Sequence, residues 1–152
     1  MIAVDTNILV AFQRTENPHH ERAVEAMLFL IEGREAWALP WHCIHEFVSV
    51  VTNPRIFSKP DSVRNAANTI SAMLESPRVQ LLSESPTYWD VFVSLAEESR
   101  VVGAQIHDAR IAATCLDHGV RELWTADRDF SRFAGLKCRN PLVGAFPPNS
   151  RA

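Results

Sequence analysis

At 152 residues, with 47% hydrophobic and 22% charged residues and a formal net charge of −3, the chain has the make-up of one globular domain able to bury a sizeable core. That balance excludes a disordered or fibrous protein, and the negative charge argues against nucleic-acid binding by bulk electrostatics, which calls for a basic surface. No apolar run approaches the roughly 18–20 residues needed to span a bilayer, and the opening Met-Ile-Ala-Val-Asp has neither the basic stretch nor the cleavage site of a signal peptide.

In chain order, residues 1–5 predict a short strand that turns at Asp5-Thr6-Asn7, followed by a short helix over 8–12 capped by Thr6 or Asn7. Ala23, Met27, Leu30 and Ile31 stripe a helix over 21–32, with Gly33 at its C-terminal end. A strand over 36–39 closes at Pro40, and Ile44, Phe47, Val48 and Val51 give helical spacing over 41–52. Asp61 or Ser62 caps a helix to about residue 75, and 79–82 reads as a strand. Thr87 with Asp90 three residues on predicts a capping box for a helix to about residue 100. A helix over 106–117 ends at Gly119, a strand follows over 120–125, and 136–138 is a fifth candidate strand. Strands alternating with helices predict an α/β domain over 1–140 whose mostly parallel sheet of four to five strands is flanked by helices, with 141–152 as a tail. The four tryptophans read mostly as core, Trp41 having stacking on a base as its other role. Cys43, Cys115 and Cys138 lie in apolar sequence without a C-x-x-C pair, as expected of buried free thiols in a reducing cytoplasm.

Asp5, Glu46, Asp108 and Asp127 carry the chemistry. Each stands beside apolar sequence, where a carboxylate is costly unless compensated. Asp5 ends the first strand and Asp127 follows the fourth, the positions at which open α/β sheets bind ligands. Asp108 shares a helical face with Ile111, Ala112 and Cys115. Taken singly, Asp5 and Asp108 suit helix caps and Glu46 a surface ion pair. Taken together, the four acids suit a divalent cation, with Thr6, Asn7 and Thr125 as polar supports. Asp129 is either a fifth acid or the cap of the turn that follows.

These stretches also carry a resemblance. Ile2-Ala3-Val4-Asp5-Thr6-Asn7, Glu46-Phe47, His107-Asp108-Ala109 and Thr125-Ala126-Asp127-Arg128-Asp129-Phe130, in that order and spacing, resemble the PIN-domain nucleases and, within them, the VapC toxins of bacterial toxin–antitoxin pairs. The resemblance implies a PIN-like α/β/α sandwich and an Mg²⁺- or Mn²⁺-dependent endoribonuclease. It implies Asp5, Glu46, Asp108 and Asp127 as metal-binding catalytic acids, Asp5 and Asp108 as direct ligands, and Asp129 as a further acid. All-oxygen ligation fits such hard cations. Water would attack in line, leaving a 5′ phosphate and a 3′ hydroxyl. A VapB-type antitoxin, an RNA substrate and a homodimer are the implied partners.

Of the fifteen basic residues only Lys59 and Lys137 are lysine, and Arg55, Arg110, Arg128 and Arg132 lie near the motifs as candidate RNA contacts. His42-x-x-His45-Glu46 has the wrong spacing for a zinc helix, and His107 reads as a surface or capping residue. An aspartyl phosphatase would want D-x-D where this chain has Asp5-Thr6-Asn7, and a receiver-like domain needs an active-site lysine. A PIN domain of RNA processing is the nearer alternative to a toxin.

Overall fold

The computed structural model describes residues 1–144; the remainder of the expected tail, 145–152, lies outside the described residues. Along the chain run β1 (Ile2–Val4), α1 (Thr6–Gln13), α2 (His20–Glu32), β2 (Trp37–Pro40), α3 (Trp41–Val51), α4 (Val63–Leu74), β3 (Val79–Leu82), α5 (Tyr88–Glu98), α6 (Gln105–Asp117), β4 (Glu122–Trp124), a 3₁₀ turn (Arg128–Arg132) and β5 (Cys138–Arg139). The sheet has five strands in the order β3-β2-β1-β4-β5. Every pairing is parallel.

Alternation along β1 divides the core. Ile2 and Val4 pack with Leu9, Met27, Phe47 and Ile70 from α1 to α4, whereas Ala3 faces the cluster holding Leu95 of α5 and Ala112 and Cys115 of α6. With both faces covered, β1 is wholly buried, which explains its uninterrupted apolar sequence. The chain leaves β1 toward β2 and β3, then crosses to β4 and β5 on the other side. The change of direction falls between β1 and β4, so a crevice opens beyond their carboxyl ends.

Several local expectations are corrected. α1 starts at Thr6 because Asp5, not Thr6 or Asn7, is its cap: in extended backbone, the Asp5 carboxylate accepts a bond from the Thr6 amide. Ser62 caps α4 through the Asn65 amide. The capping box at α5 does not form, since Thr87 has helical backbone angles and its hydroxyl is turned to Asp117 at 2.7 Å. Gly33 does follow α2, but at φ −69, so no left-handed cap requires it. The requirement is space: a Cβ there would stand 2.4 Å from the Phe29 carbonyl oxygen. Trp37 and Trp124 are core, whereas Trp41 and Trp89 are exposed on α3 and α5. Cys43 and Cys115 are buried free thiols, and Cys138 is half-buried.

Candidate active site

Asp5 leaves β1 directly into α1, which puts its carboxylate at the sheet's carboxyl edge with 3% of the residue exposed. Four donors surround it. Oδ1 accepts from the Thr6 amide at 2.7 Å and, more weakly, from the Cys43 thiol at 3.7 Å. Oδ2 accepts from Asn7 Nδ2 and from the Thr125 hydroxyl, both at 2.7 Å. Burial nevertheless dominates and lifts the Asp5 carboxyl to about 6, against the lowering effect of the Thr125 and Thr6 bonds. Nearby Glu46 adds to the rise.

Thr6 extends the site to α3, its hydroxyl donating to Glu46 Oε2 at 2.6 Å. Asn7 and Thr125 extend it to the loop after β4. Asn7 Oδ1 accepts from the Ala126 amide at 2.9 Å, and the Thr125 hydroxyl accepts from the Asp127 amide at 3.0 Å. Thus β1, α1, α3 and the β4 loop are joined by one polar network centred on Asp5. Thr6, Asn7 and Thr125 all bond into this network.

Asp108 enters from the first turn of α6, whose cap position is Ala104, so Asp108 is not the cap. It is half-buried. Burial raises its carboxyl, and Asp127, Asp129 and Glu46 raise it further, while Arg132 acts the other way. Those influences place Asp108 within the field of the other acids. Glu46, Asp127 and Asp129 are exposed, so only Asp5 meets the expectation of a deeply buried carboxylate. Asp127 is the cap of the 3₁₀ turn, accepting from the Asp129 amide at 2.8 Å. The expectation of Asp129 as the cap of this turn is therefore corrected.

The arginines separate. Arg110 lines a cleft with Glu46 and Asp108, and Arg132 reaches Asp129, donating from Nε to its carbonyl at 3.2 Å. Arg128 is exposed in the turn after Asp127, and Arg55 lies past the C-terminal end of α3. Two further residues escaped the sequence reading. Cys43 stands one turn before Glu46 on the same face of α3, a spacing that could have shown it. Glu84 binds His42 at 3.1 Å and Arg110 at 3.2 Å from the β3–α5 loop, and no local pattern marks it.

The donor set is oxygen throughout, and neighbouring carboxylates contribute to the raised proton affinity of Asp5 and Asp108, which is the setting a hard divalent cation relieves. Among the described residues no group of three or more His, Cys, Asp or Glu side chains is arranged to hold an ion unaided. Mg²⁺ asks for less, commonly taking one or two carboxylates and completing its shell with water. The residues fit such an ion. They suit zinc less well, since zinc is held mainly through His nitrogen and Cys sulfur.

Fold and site together define a parallel α/β protein with an acidic pocket at its topological switch. The PIN domain family model matches residues 2–136, and the chain belongs to the PIN-domain family. It is 34% identical over 144 residues to ribonuclease VapC43 of Mycobacterium tuberculosis, covering 95% of this chain and 97% of that one. VapBC2 from Rickettsia felis, solved bound to a DNA fragment from its promoter, shares the fold with a TM-score of 0.67 at 20% identity, covering 92% of this chain and 98% of that one. VapC20 of Mycobacterium tuberculosis, described as a Sarcin-Ricin loop cleaving toxin, does so with a TM-score of 0.62 at 18% identity, covering 90% and 96%.

Proposed function

We propose that this chain is the endoribonuclease toxin of a VapBC-type toxin–antitoxin module, cleaving RNA phosphodiester bonds with Mg²⁺ or Mn²⁺. The observation that carries the reading is the buried Asp5 carboxylate at the end of β1, held by four donors from α1, α3 and the β4 loop beside Glu46. Its kinship with the VapC ribonucleases supplies the substrate class.

Asp5 and Asp108 would hold the ion directly, with Glu46 and Asp127 joining directly or through water. When bound, the ion lowers the pKa of water and offsets charge on the phosphate. The protein's own part is orientation. Thr125 and Asn7 fix one Asp5 oxygen, and the Thr6 amide with the Cys43 thiol fixes the other. Thr6 sets the rotamer of Glu46 against α1. The neutral Asn7 stands where an aspartyl phosphatase would need its second carboxylate, and its amide donates to Asp5 instead. Lys137 pairs with Glu122 at 2.8 Å, at the start of β4 and away from the acids. Both facts weigh for a nuclease.

A VapB-type antitoxin is the expected protein partner, in keeping with the complex from Rickettsia felis, together with a homodimer acting in the cytoplasm. The test is incubation of a total-RNA preparation with the purified protein, with Mn²⁺ or with EDTA. Discrete cleavage products in Mn²⁺ are expected, lost in Asp5→Asn. Undiminished Mn²⁺-dependent cleavage by that variant would falsify the site.

A further inference from the structure

Beside the acids lies a second polar feature that the site chemistry does not use. A cleft of about 340 Å³ is lined by His42, His45 and Glu46 from α3 and by His107, Asp108 and Arg110 from α6. Arg110 is held from below by Glu84 at 3.2 Å, and Glu84 is also engaged by His42 at 3.1 Å. The Arg110 side chain remains 47% exposed, with one of its N–H groups spent on Glu84. A guanidinium has five such donors, so a fork is left for an anion. At the rim, Trp41 and His45 form a ring pair, centroids 5.7 Å apart and tilted by 34°, and both residues are exposed.

We propose that this cleft seats one unpaired nucleotide of the RNA, adjoining the scissile phosphate. Arg110 takes that nucleotide's phosphate, and the His45–Trp41 pair takes its base. The inference rests on the nuclease reading above. Glu46 and Asp108 would meet the reacting phosphate through a bound cation, and Arg110 of the same cleft would meet the neighbouring one, so one cleft offers both kinds of group that successive phosphates require. Exposed rings suit a base with a free face, which a single strand offers and a duplex does not. Glu84 is a positioning residue: it aims Arg110 without touching RNA.

The test is fluorescence anisotropy of a labelled, random-sequence single-stranded RNA decamer over a range of salt. The full chain carrying Asp5→Asn is used with Mg²⁺, and the unmutated chain in EDTA as a second background. Arg110→Gln is expected to weaken binding several-fold and to flatten the salt slope by about 0.7, the share of one single-strand phosphate contact. Arg110→Lys should keep the slope, which a purely structural role would not predict. His45→Ala is expected to weaken single-strand binding about tenfold and duplex binding hardly at all. Arg34→Gln, at the opposite edge of the sheet, should change neither. An unchanged slope in Arg110→Gln, or equal losses for duplex and single strand in His45→Ala, overturns the proposal and leaves the cleft to a protein segment. Absence of Mn²⁺-dependent cleavage by the unmutated chain would instead sink the nuclease reading.

Discussion

Asp5 is held by four hydrogen bonds and is still more easily protonated than an aspartate in water, so desolvation outweighs its donors. Its carboxyl stands at about 6 in the folded protein against 3.8 for the free residue. The folded state therefore binds the proton more tightly than the unfolded state does. The stability this contributes is complete below pH 3.8 and is lost as pH rises through about 6. A gap of that size corresponds to about 3 kcal/mol, an upper figure for a group whose surroundings can relax. In EDTA, the Asp5 contribution should make the protein less stable at pH 7.5 than at pH 5. Saturating Mg²⁺ should close much of the difference by binding only the folded, ionised form. Thermal melts at the two pH values, with and without Mg²⁺, check this; a Mg²⁺ effect as large at pH 5 as at pH 7.5 would refute it.

Thr125 gives a second residue-scale prediction. Thr125→Val keeps the shape but removes the donor to Asp5 and the acceptor for the Asp127 amide. Leaving buried partners unmet costs about 1–3 kcal/mol. Metal affinity should fall tenfold to a hundredfold, as is usual when a ligand's supporting bond is removed. Calorimetric titration with Mn²⁺ reads the second effect separately from the first. At this scale much was legible in the sequence: an Asp after a strand and a Thr two residues before an Asp announce themselves. The Glu84 anchor was not, because it joins segments distant in sequence.

For the elements, boundaries were set by competition for hydrogen bonds. α1 begins early because Asp5 caps it while serving the site. α5 begins without its expected box because Asp117, from the end of α6, takes the Thr87 hydroxyl. Periodicity located both helices, whereas the choice of partner at their ends depended on α6 being adjacent. Gly33 provides the test. Alanine there forces a Cβ into the Phe29 carbonyl oxygen at 2.4 Å, so Gly33→Ala should destabilise by about 1–3 kcal/mol, the usual cost of overpacking. Urea denaturation should give a lower midpoint with an unchanged slope. A midpoint equal to the parent's would mean that the end of α2 yields without cost.

Over the whole molecule, the sheet crossover decides where the candidate site sits. β1 and β4 are neighbours although most of the chain separates them, and their carboxyl ends bring Asp5 and Thr125 within 2.7 Å. The chain after β5 returns to the core. Leu142 is 6% exposed in the cluster of α1 to α4, so Leu142→Ala should cost about 2–5 kcal/mol. A change below about 0.5 kcal/mol, measured by denaturant titration, would instead class this position with the tolerant surface sites. Among the described residues no helix is long and apolar enough to cross a membrane.

What the sequence by itself determined was the alternation of strands and helices and the parallel sheet, and it singled out the candidate acids. Period, turn residues and the cost of carboxylates beside apolar runs are all local signals. What only the tertiary structure decided was the unequal burial of those acids. Asp5 lies deep and Asp108 halfway, while Glu46 and Asp127 remain at the surface. The pairing of Arg110 with Glu84 across the cleft was likewise decided there. Burial depends on what the rest of the chain lays over a residue, and no window of sequence contains that.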